Sequence, residues 1–208
     1  MATVPPRCDW PGYIVRDFSF AGFPRGARVL DIGFGGGDQM RELLARGCRA
    51  IGVEFDAALA RAGRAAGLTI CRAAAEALPF ASGAFDGVVC KVVIPYTDEA
   101  RAVAEIARVL RPGGVARVSF HGLGYSLRYF LTDRDWKRRL YAARVMANTL
   151  LYTLMGRRLP GFWGDTIYQS ERRLRRYYQR TGLEITSTPA PRFVGAPVFI
   201  YHALRKRA

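Results

Sequence analysis

The sequence predicts an α/β protein, built as a mostly parallel β-sheet that is covered by helices. Short apolar runs alternate with helical patterns over the first two-thirds of its 208 residues, and a glycine-rich turn follows the first apolar run. Half of the residues are hydrophobic and 12% are aromatic, which excludes a disordered or collagen-like chain. A chain of this length supports one substantial core, so we expect a single domain over 1–208.

The apolar runs and helical periodicities place seven strands and six helices along the chain. The strands are expected at 27–32, 50–54, 68–72, 85–90, 115–120, 183–187 and 198–204. The helices are expected at 38–46, 57–66, 98–110, 127–140, 141–155 and 170–180, and Asp56 and Ser170 are the predicted N-caps of the second and the last. Residues 125–166 interrupt the alternation, and we interpret them as a helical insertion that caps the sheet.

Residues that form disulfides or bind metals are few and scattered. The four cysteines include no CxxC pair, and His121 and His202 lie far apart in sequence. We therefore expect no metal site and a reduced, cytoplasmic setting. The N-terminus lacks the pattern of a signal peptide, and no stretch of about 18 uninterrupted apolar residues occurs. The chain is thus expected to be soluble or, as the alternative, peripheral to a membrane.

The chain is strongly basic, with a formal net charge of +15. Such a charge is typical of proteins that meet nucleic acid, a membrane surface or a phosphorylated substrate. A GC-rich coding sequence produces a similar excess, because 29 of the 32 basic residues are arginine. However, residues 125–180 hold thirteen basic and four acidic residues, and this concentration weakens the explanation by coding bias.

The glycine-rich turn has the features of a nucleotide-binding loop. Gly33, Gly35 and Gly37 lie between the first strand and the first helix, where glycine lets the backbone turn tightly and approach a nucleotide. Glu54 ends the second strand, where a carboxylate can accept hydrogen bonds from both ribose hydroxyls. The turn lacks the lysine of a P-loop and departs from the GxGxxG spacing, which disfavours ATP hydrolysis and NAD(P) binding.

Four motifs follow one another along the chain: VLDIGFGGG, GVEFD, AEALPF with GAFDGVV, and EIARVLRPGG. Together they resemble the class I S-adenosylmethionine-dependent methyltransferases, in the broad type 11-like subgroup that includes many small-molecule and lipid methyltransferases. The resemblance covers roughly residues 25–120 and the terminal helix and strands. It implies a Rossmann-like fold with a seven-stranded sheet, S-adenosyl-L-methionine as cofactor and S-adenosyl-L-homocysteine as product.

The resemblance also implies roles for single residues. Asp31, Gly33, Gly35 and Gly37 match the loop that packs against the methionine part and the ribose of the cofactor. Glu54 matches the acidic residue that binds the ribose hydroxyls.

The adenine end of the cofactor is assigned in the same way. Phe55 matches the residue beside the adenine, and Ala75 and Glu76 match the segment whose backbone approaches that ring. Lys91 lies where the family's chain passes the methionine group and faces the substrate. Ala74 stands where the family often has an aspartate that contacts the adenine amino group. Loss of one such hydrogen bond, worth about 0.5–1.5 kcal/mol, lowers affinity several-fold without abolishing binding.

The acceptor side is predicted from position in the fold. His121, at the end of the fifth strand, is the candidate general base, with hydrogen bonding alone as its alternative role. The segment KVVIPY at 91–96 is not the Asn/Asp-Pro-Pro-Tyr signature, which argues against methylation of base amines. The candidate substrate-binding residues are Tyr96, Tyr13 in an N-terminal flap over 1–24, and Tyr125 and Trp163 in the insertion, which we interpret as a substrate lid.

Three functions remain open at this point. The first is a methyltransferase of a small organic or lipid-like acceptor, acting at oxygen or carbon, because residues 140–155 are apolar over most of a helix circumference and fit a buried or lipid-facing helix. The second is an RNA methyltransferase that uses the basic, aromatic-rich region 125–180. The third is a non-catalytic cofactor-binding regulator of a partner protein. Salt-dependent retention on RNA separates the second from the first, and failure to bind the cofactor favours the third.

Overall fold

The computed structural model describes residues 22–157, 161, 164–187 and 192–208. The helices are α1 Asp38–Ala45, α2 Ala57–Ala65, α3 Glu99–Val109, α4 Leu123–Thr132, α5 Trp136–Met155 and α6 Glu171–Thr181, with a 3-10 turn at Ile94–Tyr96. The strands are β1 Arg28–Ile32, β2 Arg49–Glu54, β3 Ile70–Arg72, β4 Phe85–Lys91, β5 Leu110–His121, β6 Leu183–Ser187, β7 Arg192–Phe193, β8 Ala196–Pro197 and β9 Phe199–Lys206.

Seven of these strands form one sheet in the order β3-β2-β1-β4-β5-β9-β6. The strands from β3 to β5 pair in parallel, and β9 runs antiparallel to both of its neighbours. The order reverses at β1, so β1 and β4 separate at their carboxyl ends and leave a crevice there. The prediction of a seven-stranded, mostly parallel sheet is confirmed.

Two apolar clusters bury the two faces of the sheet. On one face, Met40 and Leu43 of α1 and Ala60 of α2 pack against β1 and β2. The other face is covered by α3 and α6, whose Ile106 and Leu174 are essentially inaccessible to solvent. Helices on both faces leave the strand ends as the exposed edge where a ligand can reach the backbone.

The boundary between the two helices of the insertion differs from the prediction. We expected helices at 127–140 and 141–155, whereas α4 ends at Thr132 and α5 begins at Trp136. The reason is local: the Asp135 side chain accepts a hydrogen bond from the Lys137 N–H and caps α5. The apolar periodicity used for the prediction is not sensitive to this cap.

Smaller differences occur near two strands. β5 begins at Leu110, directly after α3, and carries Gly113 with φ +73° before the predicted start of the strand. The hairpin of β7 and β8 was not predicted, because its turn is made by Val194 and Gly195, both at positive φ, and not by a favoured Asn-Gly pair.

The predicted helix caps differ in outcome. The Asp56 carboxylate accepts hydrogen bonds from the N–H groups of Ala58 and Leu59, as expected of an N-cap. Ser170 occupies the N-cap position of α6, but its side chain makes no capping hydrogen bond. The sequence identified the position correctly and the interaction wrongly.

The predicted N-terminal flap lies almost wholly outside the described residues. Within its described end, Phe23 packs against Gly87 near the start of β4, at the opposite end of the strand from the crevice. None of the helices in the described part of the chain is long and apolar enough to cross a membrane.

Candidate functional site

A pocket of about 620 Å³ opens at the carboxyl ends of β1, β2 and β4. Its walls come from the turn after β1, the segment after β3 and the stretch that joins β4 to α3. The lining residues are Ile32, Gly33, Val53, Glu54, Phe55, Ala73–Ala77, Lys91–Val93, Tyr96–Asp98 and Arg101. A volume of this size suits a small-molecule cofactor.

The turn after β1 is held against the end of β2. Gly33 has φ +78°, and a Cβ atom there would lie 2.1 Å from Cγ2 of Val93, so the position admits no side chain. The N–H groups of Gly33 and Phe34 both donate to the carbonyl of Val53. The Phe34 ring is buried in the apolar core beneath this turn.

Glu54 is fixed at the mouth of the pocket by two backbone donors. The N–H of Gly35 donates to Oε2 at 2.9 Å, and the N–H of Asp56 donates to Oε1 at 3.0 Å. A carboxylate has about four acceptor positions, so lone pairs remain on both oxygens. Two adjacent hydroxyl groups of a ligand could therefore each find an acceptor on an already oriented carboxylate.

Asp31, near the end of β1, and Lys91, at the end of β4, interact electrostatically at this site. Burial raises the pKa of Asp31 to about 7, against the opposing attraction of Lys91 and with a smaller contribution from Glu54. Burial also lowers the pKa of Lys91, and the nearby carboxylates of Asp31 and Asp38 oppose that change. Oδ2 of Asp31 is buried and has no hydrogen-bond partner within the described residues. A buried acceptor of this kind favours a ligand that brings a donor or a positive charge.

Another part of the pocket wall is largely apolar. Phe55 is 73% exposed although it is a large aromatic residue, and its ring lies free at the pocket wall. The alanines at 73–75 and Ala77 also line the pocket, and they offer no polar side chains. Glu76 is turned toward the start of α3, where it accepts a hydrogen bond from the N–H of Asp98 at 2.9 Å. An exposed aromatic ring together with small apolar residues suits a planar ligand ring.

Tyr96 connects the pocket to the insertion. It lines the pocket, and its pKa is raised by burial and by a hydrogen bond with the side chain of Tyr141 on α5. Next to Tyr141, the Arg144 side chain forms an ion pair with Asp165 at 2.9 Å. The N–H of Ile167 reaches the carbonyl of Pro95 at 3.4 Å. The insertion therefore borders the acceptor side of the pocket.

His121 lies outside the residues that line this pocket. Its ring stacks on Tyr125 with centroids 3.9 Å apart and an interplanar angle of 3°, and it meets Phe199 edge to face. Burial lowers its pKa to about 3, so the ring is neutral near physiological pH. Tyr125 belongs to the same aromatic cluster. His202 is fully buried, and its ring lies within hydrogen-bond distance of the Tyr178 hydroxyl.

The structure thus brings together most of the predicted cofactor residues, and the remaining predictions lie elsewhere. Tyr13 and Trp163 fall outside the described residues. Sequence reasoning missed Val92, which lines the pocket at φ +57°, a backbone conformation that is strained for a β-branched residue. The sequence does not predict this role for Val92, because the pattern of strands and helices specifies no particular residue type directly after β4.

The pocket fits the cofactor that the motifs imply. Glu54 suits the ribose hydroxyls, the exposed ring of Phe55 suits the adenine, and the unpartnered oxygen of Asp31 suits the cationic methionine end. This fit between pocket and cofactor is inferred from contacts within the chain alone. Ala74 offers the adenine no polar partner, in agreement with the departure noted in its sequence.

Comparisons with known proteins agree with this geometry. Residues 30–118 match the family model described as a methyltransferase domain. An uncharacterized methyltransferase of Mycobacterium sp. (strain JLS) is 39% identical over 100 residues, which cover 47% of this chain and 40% of that protein. The demethylmenaquinone methyltransferase of Corynebacterium kroppenstedtii is 32% identical over 90 residues, covering 43% and 39% of the two chains. The chain thus spans less than half the length of these two relatives.

A solved structure shows the same fold over nearly the whole chain. The S-adenosylmethionine-dependent methyltransferase from Mesorhizobium loti superposes with a TM-score of 0.67 and 18% identity, covering 90% of this chain and 94% of that one. The segment matched by the family model contains residues 30–32 of β1, the glycine turn, Glu54 and the whole of β2, β3 and β4. Residues 30–118 therefore match the methyltransferase-domain family, and the chain has the fold seen in S-adenosylmethionine-dependent methyltransferases.

Proposed function

We propose that the protein transfers a methyl group from S-adenosylmethionine to a small organic or lipid-like acceptor, at oxygen or carbon. The observation that carries the proposal is the Glu54 carboxylate, which two backbone N–H groups orient in a pocket of suitable volume. When bound, the cofactor supplies an electrophilic methyl group. The protein's part is then chiefly to align the acceptor with that group and to exclude water.

Each wall of the pocket has a separate task in this proposal. Glu54 and Phe55 hold the ribose and the adenine, and Asp31 with Lys91 sets the charge at the methionine end. The strained backbone at Val92 leads the chain between the methionine end of the cofactor and the acceptor. Tyr96, braced by Tyr141, closes the acceptor side and supplies a hydroxyl for orientation.

The apolar character of the acceptor side supports a lipid-like substrate. Val92, Val93 and the ring of Tyr96 line the pocket there, and the charged pair of Arg144 and Asp165 is engaged with itself. The similarity to a demethylmenaquinone methyltransferase, whose name gives demethylmenaquinone as its acceptor, points in the same direction. A quinol or phenol with an apolar tail is therefore the acceptor class to test first.

The test is transfer of label from methyl-labelled S-adenosylmethionine to a panel of phenols, prenylated quinols and fatty acids. We expect an organic-soluble labelled product from at least one quinol or phenol, and the Glu54→Ala variant should form far less of it at the same cofactor concentration. Binding of S-adenosylhomocysteine without transfer to any member of the panel would contradict the acceptor class. Adding RNA to the same assay at low salt tests the alternative substrate. Methylation of RNA would be suppressed when the salt concentration is raised.

A further inference from the structure

The longest helix of the insertion is oriented with its apolar side outward. Trp136, Leu140, Leu150 and Leu154 of α5 are 66%, 62%, 60% and 74% exposed. Its buried side is mixed: Ala142 and Val145 are apolar, whereas the amide of Asn148 donates to the carbonyl of Thr166 and the Thr149 hydroxyl accepts from the N–H of Tyr168. A surface helix of a water-exposed protein normally shows the opposite arrangement.

The exposed apolar residues form one continuous line along α5. Their positions step by four and three residues, and the line runs through Trp136, Leu140, Ala143, Ala147, Leu150 and Leu154. Twenty residues of helix extend for about 30 Å at the usual rise per residue. Leu131 of α4, which is 57% exposed, adds to the apolar surface at the first end of this line. We call this line the apolar ridge.

A basic pocket adjoins the other end of the apolar ridge. The last two turns of α5, from Thr149 to Gly156, contribute to its wall, and its volume is about 830 Å³. Arg172, Arg176 and Arg180 line it from successive turns of one face of α6, and Arg192 joins them from β7.

Of the five arginines of α6, the three at 172, 176 and 180 line the pocket and are not used in polar contacts within the described part of the chain. Their side chains are exposed and make no hydrogen bond or ion pair within the described residues. Arginines four residues apart on a helix repel one another, and Glu171 is the one carboxylate among the described residues that line the pocket. By contrast, Arg173 on the neighbouring face is engaged with the buried Glu99. An anion brought from outside would relieve the repulsion among the three.

We infer that the apolar ridge and the basic pocket form one docking surface for a bilayer that contains anionic phospholipids. The ridge supplies large apolar side chains at the depth of the acyl boundary, and the arginines meet the phosphate groups beside it. A second copy of the chain fits less well, because self-association through this surface would bring two sets of arginines together. RNA would satisfy the arginines but leave the apolar ridge in water. The inference goes beyond the proposed methyl transfer and does not rest on it.

The experiment is sedimentation of the full-length protein with vesicles of phosphatidylcholine, with and without phosphatidylglycerol. We expect binding to the anionic vesicles to be at least about tenfold tighter than to the neutral ones. The double variant Leu150→Glu, Leu154→Glu should reduce binding to anionic vesicles by about tenfold or more. The triple variant Arg172→Gln, Arg176→Gln, Arg180→Gln should remove most of the difference between the two kinds of vesicle.

The matched control is Leu44→Glu, because Leu44 is a 41% exposed leucine on α1, away from the insertion. It should bind vesicles as the wild type does. The inference would be overturned if the wild-type protein bound neither kind of vesicle. It would also be overturned if the Leu150→Glu, Leu154→Glu variant bound vesicles as well as the control does. Dimerisation in solution that this double variant abolishes while vesicle binding is absent would overturn it too, since a second copy would then be the occupant.

Affinity for S-adenosylhomocysteine is measured on every variant in parallel. Retained affinity shows that the fold and the cofactor pocket are intact, so that a change in sedimentation reports on the surface alone. A wild type that binds vesicles but not S-adenosylhomocysteine would count against the proposed function and leave the docking surface supported. The two failures are therefore distinguishable.

Discussion

Glu54 has both carboxylate oxygens held by backbone N–H groups before any ligand arrives, so little is lost in orienting it for the ribose. Glu54→Ala leaves two ligand hydroxyls and two backbone donors without this acceptor. We expect it to weaken S-adenosylhomocysteine binding by about 1–3 kcal/mol. Calorimetric titration measures the change, with Glu42→Ala on α1 as the control, because Glu42 pairs with Arg46 at the surface. Unchanged affinity in Glu54→Ala would contradict the assignment.

Asp31 makes cofactor binding dependent on pH. Burial raises its pKa to about 7, so the carboxyl carries a proton below neutrality and ionises above it. A cationic ligand favours the ionised form, and we expect affinity for S-adenosylmethionine to rise from about pH 6 to about pH 8. The Asp31→Asn variant should bind more weakly and with a flatter pH dependence. Equal slopes for the variant and the wild type would show that another group titrates.

The same raised pKa affects stability with a defined sign. The unfolded carboxyl ionises near its ordinary value of about 3.9, whereas the folded one retains its proton to higher pH. The folded state therefore loses stability from this group as the pH rises from about 4 to about 7. Urea unfolding across that range should show a decline in the wild type that Asp31→Asn lacks. A wild-type decline that persists in the variant would remove Asp31 as its source.

Substitution of His121 tests whether the aromatic cluster has a packing role or a catalytic role. Its ring is neutral and stacked on Tyr125, which favours a packing role over that of a general base. His121→Phe keeps a ring of similar shape and removes the nitrogen atoms. We expect this variant to retain turnover within about threefold, a change smaller than the loss of a general base produces. A loss of two orders of magnitude at unchanged S-adenosylhomocysteine affinity would restore His121 as the base.

Among the elements, α6 is fixed to α3 by one buried ion pair. The Glu99 side chain is fully buried, and it accepts hydrogen bonds from Arg173 at 2.5 and 2.8 Å and from Gln169 at 3.1 Å. Arg173→Ala leaves this carboxylate without its cation, and we expect a cost of about 3–5 kcal/mol in the free energy of unfolding. The adjacent Arg172→Ala should change it by less than about 0.5 kcal/mol, because its side chain is exposed. Similar denaturation midpoints for the two variants would contradict this account of the α3–α6 contact.

The elements of the sheet could be predicted because each has a local cause in the sequence. Apolar runs define β1, β2 and β4, and Asp56 begins α2 by capping it. The break before α5 was misplaced because its cap, Asp135, lies in a charged stretch without apolar periodicity. The β7–β8 hairpin was missed because Val194 adopts φ +48°, which its residue type does not favour.

At the scale of the whole molecule, the cofactor side of the site could be predicted and the acceptor side could not. Glu54 and the glycines are positioned by strands and turns that the motifs specify. The contact of Tyr96 with Tyr141 joins segments far apart in sequence, and no periodic pattern reports such a contact. The outward apolar face of α5 was visible only as a helix that is apolar over most of its circumference. Which side is buried depends on the tertiary packing of the insertion.

Calorimetric titration of S-adenosylmethionine and S-adenosylhomocysteine into the purified protein tests the central claim most directly. The account predicts that both ligands bind at one site per chain with micromolar affinity, and that the Glu54→Ala variant binds both more weakly. Folded wild-type protein that binds neither ligand would contradict it. The glycine turn and Glu54 would then be features of the fold without a cofactor to hold.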